Sequence, residues 1–125
     1  MGTRPLPTRV DLNDLGLITE GVGSVQNGIV ARAGGGQALA TPLTATMNRV
    51  ITVATATDSV LLPVARAGAF VVVVNAAAAN SMNVFPTTGG VINALSANAA
   101  FAMAANKTAY FFCVVDGIWN SILTA

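Results

Sequence analysis

The sequence predicts an all-β protein: an antiparallel β-sandwich, with the jelly roll as one such arrangement and a partly open barrel as the alternative, preceded by an extended N-terminal arm. Three observations carry that expectation. Valine and threonine favour strands, offsetting the many alanines that would favour helices. Turn formers recur at Thr57-Asp58, Arg66 to Gly68, Asn80-Ser81, Pro86 to Gly90, Asn106-Lys107 and Asp116-Gly117, and this spacing leaves little room for a helix of ordinary length. Composition also changes at residue 36: residues 1–36 hold six of the eleven charges and end in Gly34-Gly35-Gly36, which divides the chain into an arm, 1–36, and a β-sandwich domain, 37–125.

Within the arm, Pro5 and Pro7 near its start and the glycines at its end oppose regular pairing, while Asp11 can cap one helical turn reaching Leu15. Leu12, Leu15, Leu17, Ile18, Val22, Val25, Ile29 and Val30 are costly to leave in water. The arm is therefore expected to lie on a neighbouring surface, its own domain's or another chain's, and these residues are the candidate contacts.

The first strand is expected over Leu39 to Thr46, with Pro42 placing it at an edge. In Met47 to Thr55, alternation puts Val50, Thr52 and Ala54 on one face and Arg49, Ile51, Val53 and Thr55 on the other. Ser59 to Pro63 is a short strand, and the unbroken valines of Ala69 to Asn75 suit a central strand covered on both sides. Met82 to Phe85 continues the sheet, the glycines of Pro86 to Gly90 permit a tight reversal, and Val91 to Leu95 is short. Ala99 to Ala104 pairs just before a final hairpin, Thr108 to Val115 with Ile118 to Leu123, across an Asp116-Gly117 turn of type I′.

Composition excludes several function classes. With no histidine and one cysteine among 125 residues, there is no Ser-His-Asp or Cys-His nucleophile system, no internal disulfide and no multi-thiolate zinc site. Six basic residues against five acidic ones give no field for nucleic acid. The uncharged stretch between Arg66 and Lys107 is long enough to cross a bilayer, but its asparagines, Pro86 and Gly89-Gly90 would place amides and turn formers in hydrocarbon. Met1 to Asp14 lacks the apolar centre of a secretory signal, so the expectation is a protein made in a reducing cytoplasm, where a free Cys113 is stable.

Each candidate site has a plainer structural reading. Gly34-Gly35-Gly36 has no following Lys-Ser or Lys-Thr and reads as a hinge, not as a phosphate loop. Asp11, Asp14 and Glu20 fit no EF-hand spacing. Asp58 and Asp116 sit at turns, where aspartate bonds the local backbone. Cys113, inside Tyr110 to Val115, reads as a buried hydrophobe. Most aromatic rings are assigned to the core, with Trp119 or Tyr110 as a partly exposed contact. No catalytic residue, cofactor site or metal site is expected.

From Arg66 to the C-terminus only Arg66, Lys107 and Asp116 are charged, too few to solvate the whole exterior of a small monomer. Part of that exterior is expected to be covered by other copies or by a larger assembly, and the alanines of 76–79 and 94–105 would permit close approach. The series Val71 to Asn75, Met82-Asn83-Val84-Phe85-Pro86, Gly89-Gly90, Ile92-Asn93-Ala94-Leu95, Lys107-Thr108-Ala109 and Gly117-Ile118-Trp119 resembles a pattern common in small structural proteins of tailed bacteriophages. Over Leu39 to Leu123 the chain looks like capsid cement or decoration proteins, which are typically β-rich and often trimeric, with an arm reaching across neighbouring capsid subunits. That resemblance implies a homotrimer on the exterior of the virion, with the major capsid protein as partner and neither nucleic acid nor membrane. Residues 1–36 lie outside it, so their capsid contact rests on composition and analogy of role. A phage tail, fibre or neck component and a carbohydrate-binding module remain as alternatives.

Overall fold

The β-branched segments do form strands, but most of them pair in parallel. The computed structural model describes residues 23–34 and 36–125. Among these are ten strands: β1 (Val25–Val30), β2 (Thr41–Pro42), β3 (Met47–Thr52), β4 (Ser59–Leu61), β5 (Phe70–Asn75), β6 (Met82–Phe85), β7 (Val91–Ile92), β8 (Phe101–Met103), β9 (Lys107–Val115) and β10 (Ile118–Leu123). Among the described residues the one helical element is a 3-10 turn, Gln37–Leu39. The fold is all-β.

A six-stranded sheet has the order β1-β3-β5-β9-β10-β7, and a four-stranded sheet the order β2-β4-β6-β8. From β1 to β9 the chain alternates between the two sheets, and successive strands in each sheet stack in parallel: β1 on β3, β3 on β5, β2 on β4 and β4 on β6. This is the winding of a two-sheet solenoid, in which Val25, Met47 and Val72 hold equivalent places in three successive coils. Among the named strands antiparallel pairing enters at the C-terminal end, where β8 pairs with β6, β9 with β5 and β10 with β9; the isolated Arg32–Ser59 bridge is antiparallel as well. The final hairpin is thereby inserted between β5 and β7, and β7 is parallel to β10.

The expected antiparallel sandwich, jelly roll included, is corrected accordingly: the sheets are mixed. The reason lies in the corners. A hairpin returns the chain to the same sheet, whereas the corners 53–58 and 76–81 carry it across to the other one, and the same residue types serve both purposes. Thr57 and Asn80 adopt positive φ at these corners, 76° and 78°. Successive corners are then tied together: the Asn80 side chain donates to the carbonyls of Val53 at 2.9 Å and Ala54 at 3.2 Å, and the Thr57 N–H donates to Ser81 at 2.9 Å.

Both sheets contribute to one apolar cluster, which includes Val50, Val73, Phe111 and Trp119 from the larger sheet and Val60, Met82, Val84 and Met103 from the smaller. Phe101 and Phe111 meet edge to face across it, centroids 5.4 Å apart. Two buried asparagines accompany this core with their amides satisfied. Asn48 donates to Ala45 and Val72 carbonyls and accepts from the Ala45 N–H; Asn75 donates to Met103 and Asn80 carbonyls and accepts from the Ala77 N–H. Among the described residues no buried side-chain nitrogen or oxygen lacks a partner.

Several element boundaries differ from the sequence expectation. The first strand, expected over Leu39 to Thr46, shrinks to Thr41–Pro42, and Pro42 does lie on an edge strand. β5 is central, but it is covered on one side only, with Val71 and Val73 buried and Val72 and Val74 half-buried. Burial alternates through β3 as far as Ile51, Thr52 is half-buried, and the phase then changes, because the strand ends at Thr52 and the corner turns Val53 inward. At the last hairpin only Gly117 has positive φ, 89°, so the turn is not type I′, and the register shifts between Ile118 and Trp119, a bulge beside the turn. Gly90 is required by space: a Cβ there would lie 2.9 Å from the Pro86 Cβ and 3.0 Å from the Thr87 carbonyl.

The division at residue 36 does not mark where the sheets begin. Residues 25–30, assigned by sequence to the arm, are β1, the edge strand of the larger sheet, and Arg32 bridges to Ser59 through N–H···O bonds of 2.8 and 3.1 Å. Gly34 and Gly36 lie between β1 and β2, in different sheets, and the Gly34 N–H donates to the buried Asp58 carboxylate at 3.3 Å. Apolar side chains matched strand ladders that the proline and glycine content had argued against.

Candidate interaction surface

Side chains alternate across a strand, so the residues between the buried positions of the larger sheet must point away from the core. In register they form rows. Val25 lies beside Met47, Met47 beside Val72, Val72 beside Tyr110 and Tyr110 beside Ile122, which makes an uninterrupted apolar row over five strands, about 20 Å wide at the usual strand spacing. Val25 is 67% exposed, Ile122 64%, Tyr110 45% and Met47 43%. The next row holds Phe70, Phe112 and Asn120, and Phe70 meets Tyr110 edge to face at 5.8 Å between centroids. On the other side lie Arg49, Val74 and Thr108. Arg49 is the only charge in these three rows.

The outer side of the smaller sheet is different. Ser59, Asn83 and Ala102 form one row and Pro42, Leu61 and Phe85 another. Its own crossover covers part of it: Ser59 is fully buried and its hydroxyl donates to the Gly36 carbonyl at 3.5 Å, while the Gln37 amide donates to Pro86 at 2.7 Å.

Of the contact residues named from sequence, Val25 and Val30 are exposed on β1, and Val25 begins the apolar row. Ile29 is corrected: it is 3% exposed, points inward opposite Val50 and belongs to the core. Leu12, Leu15, Leu17, Ile18 and Val22, with the helical turn expected at Asp11, lie outside the described residues. Tyr110, expected with Trp119 as a partly exposed contact, is 45% exposed, whereas Met47 and Ile122 were not among the sequence-based contacts. The signal that finds them is the pairing register, which the sequence does not state, although Tyr110 stands out as a polar-tipped ring beside buried Phe111.

The remaining candidates resolve into structural roles. Trp119, expected as a possible exposed contact, is fully buried, its Nε1–H donating to the Pro63 carbonyl at 3.3 Å. Cys113 is buried, with its sulfur 3.1 Å from the Val115 carbonyl. Asp58 accepts from the Thr55 N–H, the local backbone bond expected of a turn aspartate, and also from the distant Gly34 N–H, while Asp116 accepts from the Ala67 N–H of another loop. A depression of about 390 Å³ lies between loops that carry Arg66, Thr87, Thr88 and Asp116, with the Asp116 carboxylate already engaged. Among the described residues no three His, Cys, Asp or Glu side chains cluster as metal ligands, and no helix is long and apolar enough to cross a membrane. The chemistry available on the larger sheet is therefore that of association: apolar burial, ring contacts and few charges to desolvate. Comparison with protein-family models, with curated proteins and with solved structures found no match to this chain.

Proposed function

We propose that the chain is a capsid cement, or head decoration, protein of a tailed bacteriophage, which binds the outer surface of the major capsid protein lattice as a homotrimer and stabilises the expanded head. The observation that carries this reading is the uncharged apolar row from Val25 to Ile122 on a sheet face that the described residues leave open. Burying such a face against copies of the chain or against a shell removes apolar area from water at little desolvation cost. The likeness of the segment Leu39 to Leu123 to small phage structural proteins supplies the identity of the shell.

The mechanism is mass action. A protein that binds the assembled, expanded lattice and not its separated subunits stabilises that lattice by its binding free energy, and bridging several subunits adds avidity to individually weak contacts. Particles carrying the protein are expected to release their genome at a higher temperature than matched particles without it. Equal release temperatures would refute stabilisation. A chain lacking residues 1–22 is expected to self-associate as the full chain does but to lose particle binding.

One observation favours a second reading. Parallel coils stack along one axis, which suits a tail, fibre or neck component, and labelling of intact virions separates the two, since copies distributed over the head exclude the alternative. The carbohydrate-binding alternative loses one of the rings that suggested it, because Trp119 is enclosed in the core.

A further inference from the structure

The chain contains a single Asn-Gly dipeptide, Asn27-Gly28, and it sits in an exposed irregularity of the edge strand β1. The register to β3 breaks between Gln26 and Ile29, so these two residues fall out of the ladder that holds their neighbours. Gly28 has a φ of 76° and no side chain to shield its nitrogen. Its N–H is directed at the preceding side chain, with the nitrogen 2.8 Å from the Asn27 Oδ1. The Arg49 guanidinium reaches the same oxygen from β3, its Nη1 at 3.2 Å.

These placements have a chemical consequence. A backbone nitrogen is held beside an amide carbonyl, and a fixed positive charge lies on the carbonyl oxygen where negative charge would develop. We propose that Asn27-Gly28 is a self-modification site, at which the fold promotes cyclisation of Asn27 and its conversion to aspartate and isoaspartate. Hydroxide removes the Gly28 amide proton, and the nitrogen attacks the Asn27 Cγ, forming a C–N bond and an oxyanion on Oδ1 that Arg49 stabilises. The oxyanion collapses, the bond from Cγ to Nδ2 breaks, and the nitrogen leaves as ammonia after taking a proton from water. Water then opens the five-membered imide at either carbonyl. Opening at the backbone carbonyl gives isoaspartate, with the main chain rerouted through the former side chain; opening at the other gives aspartate. One water enters and one ammonia departs, with no change of oxidation state. Either product adds a carboxylate beside Arg49, a charge-assisted partner where a neutral amide stood, and lowers the formal net charge of +1 by one.

The test is incubation of the full chain at mildly alkaline pH, followed by isoelectric focusing and peptide mapping that distinguishes isoaspartate from aspartate. Asn27 is expected to convert before the exposed Asn98 and Asn106 and faster in the folded protein than in the same chain held unfolded in urea. Arg49→Gln is expected to slow conversion several-fold in the folded protein and to leave the rate in urea unchanged. Asn27→Ser, which cannot cyclise, should abolish the acidic species. Conversion no faster in the folded chain than in urea would overturn the proposal, because the dipeptide alone would then account for it. So would an Arg49→Gln rate equal to wild type.

Discussion

On the outer side of the larger sheet, side chains from Val25 to Ile122 run across five strands without a charge or a polar group other than the Tyr110 hydroxyl. On the outer side of the smaller sheet the row Ser59, Asn83 and Ala102 stands beside a shorter apolar row over three strands, Pro42, Leu61 and Phe85, and the crossover at 36–37 bonds to Ser59 and Pro86. Both sheets bury their inner faces in the same cluster. Folding therefore asks the same of each inner face, and the disparity between the outer faces must have another origin. An apolar outer row adds nothing to a core on the opposite side of the sheet, whereas it costs solubility unless something covers it. That separation of roles can be broken from either side.

The largest effect is expected on the shared core. Trp119→Ala removes a fully buried ring and leaves the Pro63 carbonyl without its donor. A loss of about 3–5 kcal/mol is expected, as for other buried aromatic truncations. Urea titration of the isolated chain would show it as a lower midpoint. A smaller loss, about 1–3 kcal/mol, is expected for Asn75→Ala, which strands the Ala77 N–H and the Met103 carbonyl in the interior. If Asn75→Ala were neutral, the buried amide would be dispensable for joining the third coil to β8. Replacing Gly90 by alanine forces a Cβ against Pro86 and Thr87 and should cost about 1–3 kcal/mol, readable as a lower melting temperature.

How much of this was legible in the sequence divides along the same line as the fold itself. Strand content, the strands around Val71 to Asn75 and Met82 to Phe85, and the C-terminal hairpin follow from local residue preferences, and all are present. Asp58 and Cys113 likewise occupy the structural roles expected of them, because each depends on neighbours close in sequence or on plain hydrophobicity, whereas Asp116 accepts from Ala67, 49 residues away, a long-range tie that its turn position does not state. Strand direction was not legible. Thr57 and Asn80 mark corners equally well whether the chain turns back or crosses over, and the decision is made by long-range bonds such as Asn80 to Val53 and Ala54. The role of β1 was hidden for the same reason: Gly28 and the glycines after it read as an arm, and only the pairing of Val25 with Met47 turns the segment into an edge strand. The apolar row is a product of that register. Its members come from five separate stretches of chain, each unremarkable alone.

The smallest expected change in stability accompanies the largest expected change in association. Val25 and Ile122 are the most exposed members of the row and stand at its two ends, so Val25→Lys with Ile122→Lys charges both ends while sparing the Phe70–Tyr110 ring contact. Surface substitutions of this kind change stability by no more than about 0.5 kcal/mol each. Self-association, followed as solution mass by sedimentation in the analytical ultracentrifuge, is nevertheless expected to fall, because two lysines must be desolvated wherever the row was buried. Ala102→Lys, at the exposed end of a row on the smaller sheet, is the control with one added lysine and should alter neither stability nor mass. Loss of association in both variants would trace the effect to net charge, whereas its survival in the double-lysine variant would place the interface elsewhere on the molecule. Only loss confined to the larger sheet is what an outer face reserved for a partner requires.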